Sequence, residues 1–375
     1  MDFSFSEEQQ DLQGLAKQIF EGELSNERLK EVEGGEDNFD RELWAKLAEA
    51  GVLGIAVPEA HGGGGYGFLE TALVLEQIGR TVAPVPYYAA VILGGLPIAR
   101  FGSEAQQAAL LPGVASGESI ITAALFEAGA DPLVPTTTAT PDGDGWTLDG
   151  VKDCVPAGPL ATTVLIPATT HDGKVIVAIV DVTAFGVTRE RQNTTNYHPE
   201  ARLTLQGVKV SAGDLLGSAD NGAEILSWTV ERATAALGAI AVGVCEEAVR
   251  MTAEYTKERE QFGRAIATFQ AVGQRAADAY IDTEGVRLTT WQAVWRLSEE
   301  LPATTEVAVA KFWAADGGQR VVHAAQHLHG GMGVDKDYPL HRYFLWAKWI
   351  ELSLGGATRQ LLTIGRRLAE EPVPA

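Results

Sequence analysis

Two short segments in the last third of the chain carry side chains suited to binding a nucleotide. The first is Arg259-Glu260-Gln261-Phe262-Gly263, and the second is His329-Gly330-Gly331-Met332-Gly333. An arginine donates charge-assisted hydrogen bonds to a pyrophosphate, an aromatic ring stacks on adenine, and a glycine pair lets the backbone approach a ligand closely. Together the two segments predict a site for the pyrophosphate and adenine of a nucleotide cofactor.

Composition restricts the partners that this chain can have. It has 375 residues, a net charge of −21 and 46% hydrophobic residues, which predicts a soluble protein of two or three compact units. Because like charges repel, the acidity argues against nucleic acid or an anionic membrane as a partner. No uninterrupted apolar run reaches the ~18–20 residues of a transmembrane helix, and Met1–Glu8 lacks the pattern of a signal peptide.

The cysteines and histidines give no sign of a metal site. Cys154 and Cys245 are far apart in the sequence and form no metal-binding or redox motif. Both fit a reducing cytoplasm, where a cysteine is more often packed than reactive. The histidines show no metal-ligand spacing, so we expect a cytoplasmic protein without a bound metal.

The apolar pattern divides the chain into three parts. Residues 1–120 have near-helical spacing and begin with Ser6-Glu7-Glu8-Gln9, a candidate helix N-cap. Residues 121–221 contain short β-type runs between turns, and residues 222–375 return to long helical patterns. We therefore expect an α+β protein with an N-terminal helical domain, a middle β-barrel or sandwich domain and a C-terminal four-helix bundle. The predicted strands are Thr136–Thr140, Trp146–Leu148, Thr162–Ile166 and Val175–Val180, and the predicted C-terminal helices are Glu231–Ala253, Phe269–Leu301 and Thr304–His329.

A family resemblance rests on the two nucleotide-binding segments and their surroundings. The pattern Tyr255-x-x-x-Arg259-Glu260-Gln261-Phe262-Gly263-Arg264-x-Ile266, followed by Phe269-Gln270 and the His-Gly-Gly-x-Gly run, resembles the acyl-CoA dehydrogenase family over essentially the whole chain. In that family these residues reach across a subunit interface to the ADP half of the partner's FAD. His327 stands where the family usually has a glutamine. The resemblance implies the following cofactor-binding residues: Arg259, Gln261, Phe262, Gln270, His327, Gly330 and Gly331. For His327 and His329, a helix-capping role stays an equal alternative.

A narrower resemblance concerns subunit organisation. Phe269–Arg275, Leu328–Val334 and Pro339–Phe344 are similar to the β subunits of actinobacterial steroid-CoA dehydrogenases. These are α2β2 heterotetramers that desaturate the CoA-activated side chain of sterols. The resemblance implies a homologous α subunit as partner, an FAD shared with it, an acyl-CoA substrate and an electron-transfer acceptor.

The carboxylate base of the family is missing from its usual place. Desaturation requires a carboxylate against the weakly acidic α proton of the thioester. Counted from Ala347-Lys348, the family's glutamate falls on Leu354, or on Gly355 one register over, and neither residue can accept a proton. Some members place the base in the first C-terminal helix, which makes Glu231 a weak candidate. Glu231 lies two residues early, however, and a glutamate one turn into a helix is ordinarily a surface acid.

The residues expected to contact the flavin ring also differ from the family pattern. Phe126-Glu127-Ala128-Gly129-Ala130-Asp131 replaces a Thr-Glu-x-x-x-Gly-Ser-Asp motif, so the hydroxyls of that motif are lost. Cys154-Val155-Pro156 replaces a Trp-Ile-Thr segment, and Pro156 has no backbone donor. These differences predict that the chain does not bind a flavin ring by itself.

Three functions are compatible with these residues. The first is a non-catalytic subunit that lends ADP-binding residues to a catalytic partner in a flavin-dependent acyl-CoA dehydrogenase. The second is a self-sufficient homotetrameric acyl-CoA dehydrogenase that uses Glu231 as its base. The third is a flavin-free assembly protein on the same fold.

Overall fold

The computed structural model describes residues 4–370, so only part of the N-terminal segment Met1–Glu8 is covered. Helices come first, strands follow, and helices return, which confirms the predicted fold class. The helices are α1 Glu7–Glu23, α2 Asn26–Glu33, α3 Arg41–Glu49, α4 Phe68–Thr81, α5 Leu96–Phe101, α6 Glu104–Ala115, α7 Gly222–Glu258, α8 Gln270–Ser298, α9 Thr304–Phe312, α10 Gly318–His329, α11 Leu340–Leu352 and α12 Ala357–Glu370. The strands are β1 Ile121–Ala123, β2 Thr138–Asp142, β3 Gly145–Pro156, β4 Thr163–Thr170, β5 Val175–Asp181, β6 Val187–Asn193, β7 Pro199–Val210, β8 Glu260–Gln261 and β9 Arg264–Ala265.

The first helix begins where the sequence predicts. The Ser6 hydroxyl accepts a hydrogen bond from the backbone N–H of Gln9 at 3.2 Å, and the Gln9 side chain accepts one from the Ser6 N–H at 3.0 Å. This reciprocal arrangement satisfies two of the backbone donors that a helix N-terminus otherwise leaves free. The predicted N-cap is confirmed.

The middle part is a seven-stranded sheet in the order β1-β4-β2-β3-β7-β6, with β5 paired to β4. Its inner face is a continuous apolar core that includes Leu148, Val164, Ile176 and Leu203. The sequence missed β6 and β7, because Val187–Asn193 reads as a charged, exposed segment. Pairing with β7 makes it an edge strand, and charged side chains are usual there.

Contacts between residues far apart in sequence group the chain into two compact units. Among the described residues, one contains 4–30, 72–83 and 234–370, and the other contains 31–71 and 84–233. Each unit therefore combines segments from separate parts of the chain. The boundaries predicted at residues 120 and 221 stay predictions.

Helix α7 is longer than its sequence pattern indicates. It spans 37 residues and begins at Gly222, nine positions before the predicted start at Glu231. Glu231 therefore lies well inside the helix, and the assignment of a helix-terminal surface acid was wrong. By length and composition α7 could cross a membrane, but 78% of its most apolar window is buried, as in the core helix of a soluble protein.

Glycines bring α4 and α7 into backbone contact. A Cβ atom at Gly79 would lie 2.1 Å from the Ile240 carbonyl oxygen, and one at Gly243 would lie 2.0 Å from the Glu76 carbonyl oxygen. No side chain fits at either position, so the two helices can approach this closely only with glycine at both.

A buried group of charged residues lies at this contact. Glu76 is 5% exposed, and its carboxylate accepts a hydrogen bond from the Gln13 amide at 3.1 Å. Arg80 forms an ion pair with Glu246 beside it. Burial and the nearby Glu246 raise the pKa of Glu76 to about 7, against the smaller opposing effect of Arg80.

This raised pKa predicts how stability depends on pH. Between the ordinary value of 4.5 and about 7, the unfolded chain releases the Glu76 proton while the folded chain keeps it. The free energy of unfolding therefore falls as pH rises through this window. Glu76→Gln should remove that loss, so the variant should gain up to about 3 kcal/mol over wild type between pH 4.5 and 7. Urea unfolding at several pH values measures it. Glu49→Gln, at an exposed position, is the control, and parallel pH profiles for wild type and Glu76→Gln would contradict the prediction.

Candidate functional site

The predicted arginine segment folds into a tight β-hairpin directly after α7, which we call the arginine hairpin (residues 259–266). Strands β8 and β9 pair Glu260 with Ala265 and Gln261 with Arg264. Phe262 and Gly263 form the turn, with φ angles of 54° and 76°. Positive φ at both central residues is the pattern of a type I′ turn, whose twist matches that of a two-stranded ribbon.

Both ends of the arginine hairpin are fixed by backbone hydrogen bonds. The Arg259 N–H donates to the Tyr255 carbonyl in the last turn of α7, and the Ile266 N–H donates to the Arg259 carbonyl, each at 2.8 Å. The Arg264 guanidinium lies over the Phe269 ring at 4.2 Å, next to the start of α8. The position of the hairpin is thus set by α7 on one side and α8 on the other.

Phe262 occupies a conformation that a bulky residue rarely adopts. A left-handed backbone costs a non-glycine residue roughly 1–2 kcal/mol, and asparagine would suit this turn better. The ring regains little within the chain, since it is 92% exposed and makes an edge contact with Phe269 at 6.1 Å. Such strain with so little internal compensation is typical of a residue kept for an external contact.

The remaining predicted residues near the hairpin are exposed side chains. Gln270 is the first residue of α8, and Arg259 follows directly after α7. The Gln261 amide donates to the Glu260 carbonyl at 2.8 Å. Arg259, Gln261, Phe262 and Gln270 are therefore all exposed, in the arginine hairpin or at the start of the helix that follows it.

The glycine pair opens a tight 3-10 turn after α10, which we call the glycine turn (Gly330–Val334). Gly330 has φ 60° and ψ −133°, a conformation closed to residues with a side chain. Gly331 has no such backbone requirement, and a Cβ atom there would meet no described atom within 4 Å. The chain itself gives no reason for glycine at 331, which fits close approach by an external group.

The two histidines next to the glycine turn have different surroundings. His327 is exposed, so its side chain is free to face a ligand. His329 is 2% exposed, and its ring stacks on Tyr255 at 4.3 Å. This ring contact brings the end of α10 against the end of α7, so the glycine turn and the arginine hairpin lie on neighbouring elements.

The segment expected to carry the catalytic base is a turn after α11. Leu354 and Gly355 both have positive φ angles, 52° and 94°. Lys311 lies under this turn, fully buried, and its ammonium donates to the carbonyls of Ile350 at 2.7 Å and Glu351 at 3.2 Å. Burial lowers the pKa of Lys311 to about 7, against the opposing effect of Glu351. The turn is firmly held but carries no proton acceptor at 354 or 355.

Lys311 is a residue that sequence reasoning missed. A signal was present, because it is the one charged residue in the apolar run Val307–Ala315. The carbonyls that end α11 have no partners within the helix, and Lys311 satisfies two of them.

The alternative base, Glu231, is half-buried inside α7. The neighbouring Arg232 is 7% exposed, and its guanidinium stacks on Trp228 at 3.8 Å.

Glu127, in the segment that replaces the family's Thr-Glu motif, is engaged in the interior of its own unit. Its carboxylate forms a buried ion pair with Lys152 at 2.6 Å and accepts hydrogen bonds from Thr136 and Thr137. Burial opposes ionisation, but Lys152 and the threonine donors outweigh it and lower the pKa of Glu127 to about 2. Glu127 is therefore an anion that anchors its loop to β3.

Cys154 and Pro156 lie at a break in the β3–β7 ladder. The register shifts between Lys152 and Val155, and Cys154 has a φ of 47°. Its N–H donates to the Gln192 side chain at 2.7 Å. Burial and the adjacent Glu200 raise the pKa of the Cys154 thiol to about 11, so it is a poor nucleophile at neutral pH.

Within residues 4–370 no group of three or more histidine, cysteine, aspartate or glutamate side chains could hold a metal ion. The chemistry that these residues offer is recognition of a nucleotide by a cation, an aromatic ring, amides and an open glycine.

Comparison with known protein families identifies the family of this chain. Residues 6–118 match the N-terminal domain of acyl-CoA dehydrogenases, and residues 220–369 match the C-terminal domain. The chain belongs to the acyl-CoA dehydrogenase family, whose members are oxidoreductases that bind FAD.

Individual relatives share the whole length of the chain. Acyl-CoA dehydrogenase FadE27 of Mycobacterium tuberculosis is 44% identical, over 99% of this chain and 100% of the relative. The ChsE4-ChsE5 complex of Mycobacterium tuberculosis contains a chain that superposes with a TM-score of 0.94 at 44% identity, covering 100% of both chains. A chain of the Tcur3481-Tcur3483 steroid ACAD, solved as a variant with one substitution, has a TM-score of 0.91 at 46% identity, covering 97% of this chain and 98% of that one.

The two halves of an FAD molecule differ in how well they suit these residues. The nucleotide half suits the exposed groups on the arginine hairpin, the start of α8 and the open space at Gly331. The ring half does not, because Glu127 is held in a buried ion pair and Pro156 lacks an N–H.

The open space at Gly331 predicts the effect of adding a methyl group there. Gly331→Ala should change the free energy of unfolding by less than about 0.5 kcal/mol, since no described atom is close. It should weaken FAD retention by the assembled protein, because the new methyl lies where an external group approaches. Gly14→Ala is the control, as its Cβ would meet an equally open space in α1. Urea unfolding and flavin absorbance after gel filtration measure the two effects. Equal FAD retention in both variants would contradict the prediction.

Proposed function

We propose that this chain is the non-catalytic subunit of a heteromeric, flavin-dependent acyl-CoA dehydrogenase. It binds the ADP half of an FAD whose ring is held by a homologous catalytic subunit. The observation that carries this proposal is the arginine hairpin, which presents Arg259, Gln261 and the strained, 92% exposed Phe262 outward. A hairpin built in this way suits a cofactor on a second polypeptide.

The proposal that the partner performs the chemistry follows from the absence of a carboxylate base at position 354 or 355. A bound FAD would supply the acceptor for the hydride that leaves the β carbon of a CoA thioester. Removal of the α proton needs a carboxylate, and Leu354 and Gly355 cannot supply one. In this proposal Arg259 neutralises the pyrophosphate, Phe262 packs against the adenine, and Gln261, Gln270 and His327 donate hydrogen bonds around the nucleotide.

Exposed apolar residues on the helical unit support an obligate partner. Tyr280, Ile281 and Leu288 of α8 are 58%, 62% and 58% exposed, and Leu361 and Leu362 of α12 are 52% and 63% exposed. Groups of large exposed apolar side chains are typical of interfaces between subunits. The proposed assembly is an α2β2 heterotetramer, in which each α–β interface completes a cofactor site that neither chain forms alone.

The proposed substrate is a CoA thioester of a steroid side chain, desaturated between its α and β carbons. This rests on the likeness to the steroid ACAD and to the ChsE4-ChsE5 complex. We place the complex in the cytoplasm, where a separate electron-transfer protein reoxidises it as part of steroid degradation.

Colour and stoichiometry test the proposal. The chain is expressed alone and together with a homologous acyl-CoA dehydrogenase subunit that carries the base. We expect a colourless chain alone and one FAD per αβ pair after co-expression. A yellow homotetramer that oxidises acyl-CoA and loses activity on Glu231→Gln would instead establish the self-sufficient enzyme. A stable, colourless chain that ignores every partner would establish the assembly protein.

Two substitutions on the arginine hairpin separate cofactor binding from folding. Arg259→Ala should weaken FAD retention in the complex by at least about tenfold, because it removes a charge-assisted contact. Phe262→Asn should weaken retention too, while it leaves the chain as stable or stabilises it, because asparagine suits the type I′ turn. Neither should alter the pH dependence of proton abstraction by the partner. FAD release is followed by flavin fluorescence and stability by urea unfolding. Unchanged flavin occupancy in Arg259→Ala would contradict the proposal.

A further inference from the structure

His329 makes contacts that a residue merely filling the core does not need. It is 2% exposed, and the plane of its ring lies 22° from that of Tyr255, with the centroids 4.3 Å apart. Its Nδ1 lies 2.8 Å from the Ala325 carbonyl oxygen, and its Nε2 lies 3.2 Å from the Tyr338 hydroxyl. Both ring nitrogens therefore have a partner.

These partners fix the form of the ring. A carbonyl oxygen can only accept, so Nδ1 carries the proton and donates it to Ala325. Nε2 then accepts from the Tyr338 hydroxyl. Burial lowers the pKa of His329, although the hydrogen bond to Ala325 opposes this, and the neutral ring matches the contacts.

The two hydrogen bonds of His329 lie on opposite sides of the glycine turn. Ala325 comes before the turn, inside α10, and Tyr338 comes after it, just before α11. The ring thereby links the end of α10, where the glycine turn begins, to the segment just before α11, which follows the turn. A phenylalanine or leucine could fill the same space but could not form the hydrogen bonds to Ala325 and Tyr338.

The stacking of His329 on Tyr255 also connects the glycine turn to the arginine hairpin. Tyr255 lies in the last turn of α7, and its carbonyl accepts the Arg259 N–H that begins the hairpin. Tyr338 also contacts Tyr255, at 6.4 Å between ring centroids. A shift of the His329 ring would therefore displace Tyr255, and with it the first residue of the hairpin.

We propose that His329 is a positioning residue that sets the spacing between the arginine hairpin and the glycine turn, so that both can hold one nucleotide. This inference rests on the proposed function. It explains how the two segments of that site are positioned. His329 is buried, so it acts on the cofactor only indirectly, through Tyr255 and Gly330. The exposed His327, which precedes Leu328 on the same helix, is the residue that faces the ligand.

Three variants separate the contributions of the ring. His329→Leu removes the stacking and both hydrogen bonds, His329→Phe keeps an aromatic ring, and Tyr338→Phe removes a single hydroxyl. The matched control is His171→Ala, at an exposed turn of the other unit. Each variant is made in the full chain and co-expressed with the catalytic partner.

The first measurement is the rate of FAD release by flavin fluorescence. We expect His329→Leu to release FAD about tenfold faster than wild type, the difference that loss of one aromatic pair and its hydrogen bonds can produce. His329→Phe and Tyr338→Phe should fall between that variant and wild type, and His171→Ala should match wild type. Partial rescue by phenylalanine is the signature of positioning, since a ring restores the stacking but not the hold on the turn.

The second measurement is hydrogen exchange in the same proteins after FAD is removed. Exchange in His329→Leu should quicken in residues 255–266 and 330–338 and stay unchanged in the buried middle of α7. Uniformly faster exchange would show a general loss of stability and overturn the proposal. If His329→Leu does not fold, His329→Phe keeps an aromatic ring, Tyr338→Phe loses only a hydroxyl, and the two variants decide the question by the same local pattern.

Arg259→Ala in the same complex distinguishes the two levels of inference. If it releases FAD while the His329 and Tyr338 variants do not, the positioning role is wrong and the proposed function stands. If Arg259→Ala also leaves FAD bound, the proposed function is wrong. A local change in hydrogen exchange at the hairpin and the turn would then support only the coupling of these two segments through His329.

Discussion

The backbone contact between α4 and α7 is the constraint on which the functional surface depends. Gly79 and Gly243 let the helices meet without side chains between them, and the middle of α7 is buried as a result. A helix held along its length in this way has a fixed end. That end carries Tyr255 and begins the arginine hairpin, so the direction in which Arg259 and Phe262 project is set by packing many residues away.

The contact between α4 and α7 also buries ionisable side chains. Glu76 is drawn out of water at the helix contact, and its carboxyl is ionised only at higher pH than usual. Arg80 and Glu246 pair beside it. Lys311, under the turn after α11, is another buried charge that satisfies backbone carbonyls at a helix end. In both places an ionisable side chain is buried where it completes a hydrogen bond, and burial shifts its pKa toward the neutral form.

In the proposed function, nucleotide recognition and proton abstraction belong to different chains. The residues proposed to bind a nucleotide are exposed on one helical unit, and the turn after α11 carries Leu354 and Gly355, which cannot accept a proton. Glu127 has become part of a buried ion pair with Lys152. The proposed function, a subunit whose partner does the chemistry, accounts for a chain that presents these exposed groups and has no carboxylate at 354 or 355.

The sequence by itself determined the fold class, the family and the N-cap at Ser6, and it predicted residues for binding a nucleotide. These follow from local signals: periodicity, turn residues, and motifs whose members lie a few positions apart. The start predicted for α7 was nine residues late, and strands β6 and β7 were not predicted. A charged edge strand such as β6 has no distinctive local pattern. Only the tertiary structure decided that His329 is buried against Tyr255 whereas His327 is exposed, that Gly331 faces open space, and that Glu127 pairs with Lys152. Each of these depends on tertiary contacts between segments that are far apart in the sequence, and the local sequence does not specify those contacts.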